Sequence, residues 1–231
     1  MGIIKKKIYI LHGWTYSLDK WVKFADLLKS EGFEPVFLNI PGLTNESDEV
    51  WDLGKYTNWL SKEISKENNV ILLGHSNGGR IAISFATKYP NKVQKLILVD
   101  SAGIYHKELT LEIKRFVFGT VAKIGKKFTS SGVLKKFLYR LAGERDYQTA
   151  TPNMKQSMVN LISTDLTPVL DKVSSSTIII WGDGDKITPV TDARLMNKLI
   201  KNSKLEIIKG ARHSPFYTHP NEVVAILKND I

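Results

Sequence analysis

The sequence predicts an α/β protein with a mostly parallel open sheet of about six strands and helices on both faces. Short runs of apolar and β-branched residues alternate along the chain with longer stretches in which apolar residues recur at helical spacing. The short runs are apolar on both faces, which is typical of parallel strands buried between two layers of helices. We therefore predict strands at residues 8–11, 35–40, 70–73, 93–99, 177–181 and 205–208.

Amphipathic helices are predicted between these strands. The stretch after the third strand is the clearest, because Ile81, Phe85 and Tyr89 follow one another at intervals of four residues and so share one helix face. The second strand is expected to stop at the PG dipeptide at residues 41–42. The predicted helices span residues 20–30, 50–65, 80–89, 192–200 and 221–228.

Residues 102–173 interrupt this alternation between two sheet strands. They carry no strand pattern, and we predict a helical insertion there, with residues 1–101 and 174–231 forming the core. Between residues 107 and 145 the chain has ten basic and three acidic residues, which is +7 of the formal net charge of +10. One interpretation is a set of solvated lysines, and another is a surface that meets anionic lipid or an acidic substrate. No groove-reading motif indicates nucleic acid.

Composition limits the remaining function classes. The 231 residues suit one domain with an insertion, and 42% of them are hydrophobic, which is enough for a sizeable core. The chain has no cysteine, which excludes disulfides, thiolate catalysis and zinc–cysteine sites. No apolar run approaches the roughly 18 residues of a membrane span or forms the apolar part of a signal peptide. We predict a cytoplasmic protein.

A single serine lies where the third strand should turn into a helix. The segment GHSNG at residues 74–78 fits the pattern G-x-S-x-G, in which glycines allow a sharp turn that exposes the serine oxygen. A serine hydroxyl needs a base to become a nucleophile. Of the five histidines, His213 follows the last predicted strand, at the sheet edge where such folds present their chemistry.

The other histidines fit other roles. His75 adjoins the serine and should point away from it, His12 ends a strand, His106 lies in the insertion, and His219 precedes a proline at the start of the last helix. An imidazole base also needs a carboxylate to fix its tautomer. The residues alone leave three candidates for it, which are Asp185, Asp183 and Asp100.

Four motifs together resemble the α/β-hydrolase superfamily over essentially the whole chain. They are LHGW at residues 11–14, NIPG at residues 39–42, the GHSNG segment, and WGDGDKITP at residues 181–189. The chain order Ser, Asp, His is also that of the family. One departure is Asn39, where the family usually has aspartate. The resemblance implies the α/β-hydrolase fold, with residues 102–173 as its helical cap.

The resemblance also implies roles for particular residues. Ser76 matches the nucleophile, Asp185 the acid and His213 the base, with Asp100 as the next candidate for the acid. The backbone amides of Trp14 and Asn77 match the two oxyanion donors.

The activity implied is that of a serine hydrolase, a carboxylic ester hydrolase that forms an acyl-enzyme on a small or medium acyl ester of a small-molecule substrate. Serine as the nucleophile argues against the dehalogenases and epoxide hydrolases of the superfamily. The alternatives are a hydrolase that cleaves C–C bonds next to a carbonyl, and a ligand-binding protein without turnover. We predict no metal and no cofactor.

Overall fold

The sheet forms the centre of the molecule. The structure is a computed structural model that describes residues 6–107 and 150–231. Every neighbouring pair of strands is parallel, and the strand order is β2-β1-β3-β4-β5-β6. The prediction of a parallel open sheet with six strands is confirmed. The strands are β1 (Lys6–Leu11), β2 (Phe33–Phe37), β3 (Val70–His75), β4 (Val93–Val99), β5 (Ser176–Gly182) and β6 (Ser203–Ile208).

Helices connect the strands and begin where the local sequence caps them. The carboxylate of Asp52 accepts from the Lys55 amide at 2.8 Å, and the hydroxyl of Thr151 accepts from the Met154 amide at 3.2 Å. Within the described ranges the helices are α1 (Val22–Ser30), α2 (Leu53–Glu63), α3 (Asn77–Lys88), α4 (Pro152–Ile162), α5 (Val190–Leu199), α6 (Pro215–Thr218) and α7 (Pro220–Asp230), with short 3-10 segments at Asp19–Trp21, Pro90–Lys92 and Thr167–Lys172.

The two faces of the sheet bury two separate apolar clusters. On one face, Leu72, Leu96 and Ile179 pack with side chains from α2, α3, α4 and α5. On the other face, Leu73 and Ile97 pack with side chains from α1, α6 and α7. All six residues of β3 are buried, so the strand that leads to Ser76 lies at the centre of the molecule. The prediction of helices on both faces is confirmed.

The second strand differs from the expectation. It was expected at residues 35–40, but β2 pairs with β1 from Phe33 to Phe37. The Leu38 amide still donates to the Ile10 carbonyl at 3.1 Å, and the chain then leaves the sheet. Pro35 is tolerated inside the strand because β2 lies at the edge of the sheet, where one side of its backbone pairs with no strand of the described residues.

The described part of residues 102–173 is attached to the rest of the protein. The Trp51 amide donates to the hydroxyl of Ser157 at 2.8 Å, and Met158 and Leu161 are buried in the first apolar cluster. The remainder of the predicted cap, residues 108–149, lies outside the described residues together with nearly all of its basic side chains. The division into core and cap therefore stays a prediction. Among the described residues, none of the helices has the length and apolar character needed to cross a bilayer.

Candidate active site

Ser76 stands between the end of β3 and the start of α3 with a strained backbone. Its φ is 52° and its ψ is −120°, a combination that residues with a side chain rarely adopt. Such strain persists only where the surroundings impose it, and it is common at functional sites. The turn at residues 74–79, here called the serine turn, thus has the geometry that the G-x-S-x-G pattern predicts.

The glycines of the serine turn are required by close backbone packing. A Cβ atom at Gly78 would lie 2.1 Å from the Leu11 carbonyl oxygen, and one at Gly74 would lie 2.5 Å from the Gly79 Cα. Both distances are far inside van der Waals contact, and the atoms that would be struck belong to the backbone. The start of helix α3 can therefore approach β3 and the end of β1 this closely only because these positions lack side chains.

His213 lies in the loop after β6 and contacts the serine directly. Its Nε2 is 2.9 Å from the Ser76 Oγ, and its Nδ1 is 2.8 Å from the Asp185 Oδ2. An ionised carboxylate can only accept, so Nδ1 carries the proton and Nε2 is free to accept from the hydroxyl. The structure thus brings together Ser76, His213 and Asp185 in one hydrogen-bonded chain.

Asp185 belongs to the loop at residues 182–189, here called the acid loop. Its Oδ1 accepts from the Ile187 amide at 2.7 Å and from the Thr188 amide at 3.2 Å, and the Thr188 hydroxyl lies 2.7 Å from its Oδ2. Burial raises the pKa of this carboxyl. The hydrogen bonds and charge of His213, with the bonds from Thr188 and Ile187, outweigh burial, so the pKa lies below its usual range. Asp185 is therefore held in its charged form.

The two alternative carboxylates have other partners. Asp183 is exposed and accepts from the Gly210 amide at 2.8 Å, as turn aspartates often do. Asp100 is buried at the end of β4 and accepts from the Gly182 amide at 2.9 Å. Burial and then the neighbouring charge of Asp185 raise the pKa of Asp100 well above its usual range. Of the three candidates, Asp185 is the one bonded to His213.

His75 has a contact that the sequence did not predict. The prediction was only that it points away from the serine, and its Nε2 lies 2.8 Å from the backbone carbonyl oxygen of His213. A carbonyl only accepts, so Nε2 carries the proton of a neutral ring. Burial, and then the charge of His213, lower the pKa of His75 to about 3. The pattern of the sequence gives no signal for this contact, because it joins positions 138 residues apart.

The rings of the other three histidines bond groups other than Ser76. His12 is buried, with Nδ1 2.7 Å from the Gly13 carbonyl and Nε2 2.9 Å from the Thr44 hydroxyl, and burial lowers its pKa to about 4. His106 bonds the Asp192 carboxylate at 2.8 Å. His219 is partly exposed and bonds the neighbouring threonine hydroxyl. The side chain of His219 makes no capping hydrogen bond to the last helix, and His213 is the histidine whose ring bonds the Ser76 Oγ.

The two residues matched to oxyanion donors each adjoin a residue at the site. Trp14 follows Gly13, where an added Cβ would lie 3.0 Å from the Ser76 Cβ, and Asn77 is the first residue of α3. Among the turn and loop hydrogen bonds of residues 6–107 and 150–231, none uses the amide of Trp14 or Asn77 as donor. A helix N-terminus also favours negative charge in front of it.

One group of side chains has the spacing of a metal site. One ligand atom from each of Asp100, Asp185 and His213 lies within 4.8 Å of the others. Two of the three already bond each other, and the second nitrogen of His213 faces the serine. The arrangement is therefore accounted for by proton transfer without an ion, and the prediction that neither metal nor cofactor is required stays a prediction.

Comparison with known proteins places the chain in a family. The family model described as "Serine aminopeptidase, S33" matches residues 2–219. The chain belongs to this family. It is an α/β hydrolase, as the sequence motifs indicated, and the six-stranded parallel sheet agrees with the structures that resemble it.

Individual relatives of this α/β hydrolase are distant. A biotin biosynthesis bifunctional protein, BioHC, of Teredinibacter turnerae is 25% identical, and the match covers 96% of this chain but only 44% of that protein. The pimeloyl-[acyl-carrier protein] methyl ester esterase of Wigglesworthia glossinidia brevipalpis is 27% identical, with 96% and 92% covered. The structure of an esterase from Exiguobacterium antarcticum is 21% identical with a TM-score of 0.75, over 97% of this chain and 91% of that one, and shows the shared fold.

Proposed function

We propose that this α/β hydrolase is a carboxylic ester hydrolase that acts through an acyl-enzyme on a small or medium acyl ester. The observation that carries the proposal is the hydrogen-bonded chain from the Ser76 Oγ through His213 to Asp185, at 2.9 Å and 2.8 Å. These three hydrogen-bonded residues can move a proton away from the hydroxyl, and the strained turn directs the hydroxyl towards the imidazole.

The first half of the reaction forms the acyl-enzyme. The Ser76 oxygen attacks the ester carbonyl while His213 Nε2 takes the hydroxyl proton, and Asp185 stabilises the imidazolium. The backbone amides of Trp14 and Asn77 donate to the oxyanion, an interaction whose loss typically reduces the rate by roughly 10² to 10³. The tetrahedral intermediate then expels the alcohol, which receives the proton from His213.

The second half releases the acid. Water enters as the nucleophile, His213 Nε2 takes one of its protons, and a second tetrahedral intermediate forms on the same carbonyl carbon. Collapse of this intermediate returns the proton to the Ser76 oxygen and leaves a free carboxylic acid. The reaction consumes one water and needs no group that the chain itself does not supply.

The relatives favour an ester of a small alcohol. The protein of Wigglesworthia glossinidia brevipalpis is named as a methyl ester esterase whose acyl group is carried on a protein. We extend to this chain only the kind of bond, an ester with a small leaving alcohol. The basic residues between 107 and 145 support an anionic substrate or an anionic lipid surface, and this stays a prediction from the sequence.

The experiment is a series of p-nitrophenyl esters from acetate to palmitate, measured with the wild type and with Ser76→Ala. We expect turnover that peaks at a small or medium acyl length and is lost almost completely in Ser76→Ala. A matched control is Ser30→Ala, which removes an exposed hydroxyl at the end of α1 and should leave turnover unchanged. Methyl and butyl esters of the best acyl group then test the preference for a small alcohol.

The same series separates the alternatives. Turnover that survives in Ser76→Ala would contradict the proposal. If the wild type does not exceed Ser76→Ala on any ester, but cleaves a vinylogous 1,5-diketone, the chain is a C–C hydrolase instead. Saturable binding of an ester without product would indicate a ligand-binding protein.

A further inference from the structure

His75 occupies an unusual position, since it is the residue directly before the serine and yet contacts the loop that holds the base. Its ring is buried, with 6% of the residue exposed. Its Nε2 proton is directed at the His213 carbonyl oxygen at 2.8 Å. Two consecutive residues of the serine turn therefore bond the same residue, His75 through the backbone of His213 and Ser76 through its side chain.

The packing around His75 fixes the ring in this orientation. The Trp21 ring lies edge-on with its centroid 5.7 Å away, and the Phe216 ring lies edge-on at 4.8 Å. A Cβ added at Gly13 would lie 3.0 Å from the His75 Nδ1, so the backbone of the loop before Trp14 packs against the ring. A ring enclosed in this way has one direction in which its proton can point.

The buried ring stays a reliable donor because it does not take a second proton. Burial and the charge of His213 lower the pKa of His75 to about 3, far below neutral pH. The charged groups that face it are His213, whose ring centroid is 5.1 Å away, and Asp185 beyond it, with the buried His12 on the side of Gly13. A second cation is therefore absent from the site when His213 becomes an imidazolium.

We propose that His75 is a positioning residue for the reaction, and that its hydrogen bond to the His213 carbonyl sets the approach of the imidazole to the serine oxygen. The inference rests on the proposed function, because it assigns His213 the role of base. It goes beyond that function in predicting that the rate of the chemical step also depends on a residue other than Ser76, His213 and Asp185. Reactions with bases in fixed positions lose rate steeply when the geometry is loosened.

The test compares three variants of His75 with one control variant at another histidine. Phenylalanine keeps the aromatic packing with Trp21 and Phe216 but has no donor. Glutamine has an amide nitrogen that reaches about as far as Nε2, whereas asparagine is polar but too short to reach the His213 carbonyl. His219→Phe is the matched control, because it makes the same substitution at a partly exposed histidine that bonds only its neighbour's hydroxyl.

The rate is measured in two ways, each per active site titrated. One is kcat and KM on the best p-nitrophenyl ester, and the other is the rate at which a small fluorophosphonate labels Ser76. We expect His75→Phe and His75→Asn to lose about tenfold in kcat and in labelling rate with KM unchanged, on the scale of one hydrogen bond. His75→Gln should recover most of the loss, and His219→Phe should match the wild type.

The outcomes separate this inference from the proposed function. Equal rates in wild type, His75→Phe and His75→Asn, or an equal loss in His75→Gln and His75→Phe, would overturn the positioning role. A role in stability alone would lower the melting temperature and the fraction of titratable sites but not the rate per site. If no ester is hydrolysed by the wild type, the labelling rate of Ser76 still reports on His75, because labelling needs the base but not the natural substrate.

Discussion

Two neighbouring strands of the sheet are each followed by a buried aspartate, and the pKa values of the two carboxyls are shifted in opposite directions. Asp100 follows β4 and Asp185 lies three residues beyond β5, with their carboxyl groups within 4.8 Å of each other. Burial raises the pKa of both carboxyls, but the net shift is upward for Asp100 and downward for Asp185. Burial therefore does not decide which carboxylate carries the charge.

The difference lies in the number of donors that each carboxylate receives. Asp185 accepts from two amides of the acid loop, from the Thr188 hydroxyl and from His213. Asp100 accepts from the Gly182 amide alone, and its Oδ2 is buried without a partner among the described residues. Two like charges at this distance repel, so the pKa of the carboxyl with more hydrogen-bond donors is lowered and that of the other is raised.

The largest expected effect comes from replacing each of the two carboxyls in turn with an amide. Asp185→Asn removes the charge that fixes the His213 tautomer, and we expect turnover to fall by on the order of 10⁴. Asp100→Asn replaces a carboxyl whose pKa is raised by burial and by the neighbouring charge of Asp185 with an amide of the same shape, and we expect a far smaller loss. The measurement is kcat/KM for the two variants on one ester at neutral pH.

The control for that comparison is Asp183→Asn, because Asp183 is an exposed carboxylate of the same acid loop that bonds Gly210 and not His213. It should behave as the wild type in turnover. If Asp100→Asn lost as much activity as Asp185→Asn, the two carboxyls would share the role, and the assignment of the charge to Asp185 would be wrong.

How far the sequence predicts this site depends on the distance between the interacting positions. The serine turn could be predicted because its strain and its glycines lie within six consecutive residues, 74–79. The choice among Asp100, Asp183 and Asp185 could not be made from the residues alone. It required the resemblance to a family, because the deciding donors to Asp185 come from the acid loop and from a histidine 28 residues later, and the competing carboxyl of Asp100 lies 85 residues earlier.

The same reasoning explains the other differences between prediction and structure. All six strands were found from local apolar patterns, but β2 begins and ends earlier than its pattern, because pairing with β1 sets its limits. His75 was assigned no role, since its partner is the backbone of His213, which any residue type could supply. A hydrogen bond to a backbone carbonyl does not depend on the residue type that supplies the carbonyl, so the sequence does not reveal it.

A smaller effect should follow from removing one donor to Asp185. Thr188→Val keeps the shape of the side chain but deletes the hydroxyl that lies 2.7 Å from the Asp185 Oδ2. Hydrogen bonds to a charged group contribute about 1.5 to 3 kcal/mol, so we expect turnover to fall by about tenfold and the pKa of Asp185 to rise. The pH at which activity falls on the acid side of the pH–rate profile should not decrease.

The control is Thr188→Ser, which keeps the hydroxyl and should retain most of the activity. Equal losses in the two variants would assign the effect to packing.

The smallest effect concerns stability, and it tests whether the pKa of Asp100 is raised in the folded protein. Because the pKa of Asp100 is raised in the folded protein, the folded state binds this proton more tightly than the unfolded chain does. Its contribution to stability is therefore fully present below the unfolded pKa of about 3.9 and is lost as the pH rises towards the folded pKa.

The variant Asp100→Asn tests this, because the asparagine side chain does not titrate. The melting temperature of Asp100→Asn relative to the wild type should thus increase between pH 4 and pH 8, whereas that of Asp183→Asn should not. A relative melting temperature of Asp100→Asn that stays constant or falls over this range would mean that Asp100 is ionised beside Asp185, and the comparison between the two strand ends would fail.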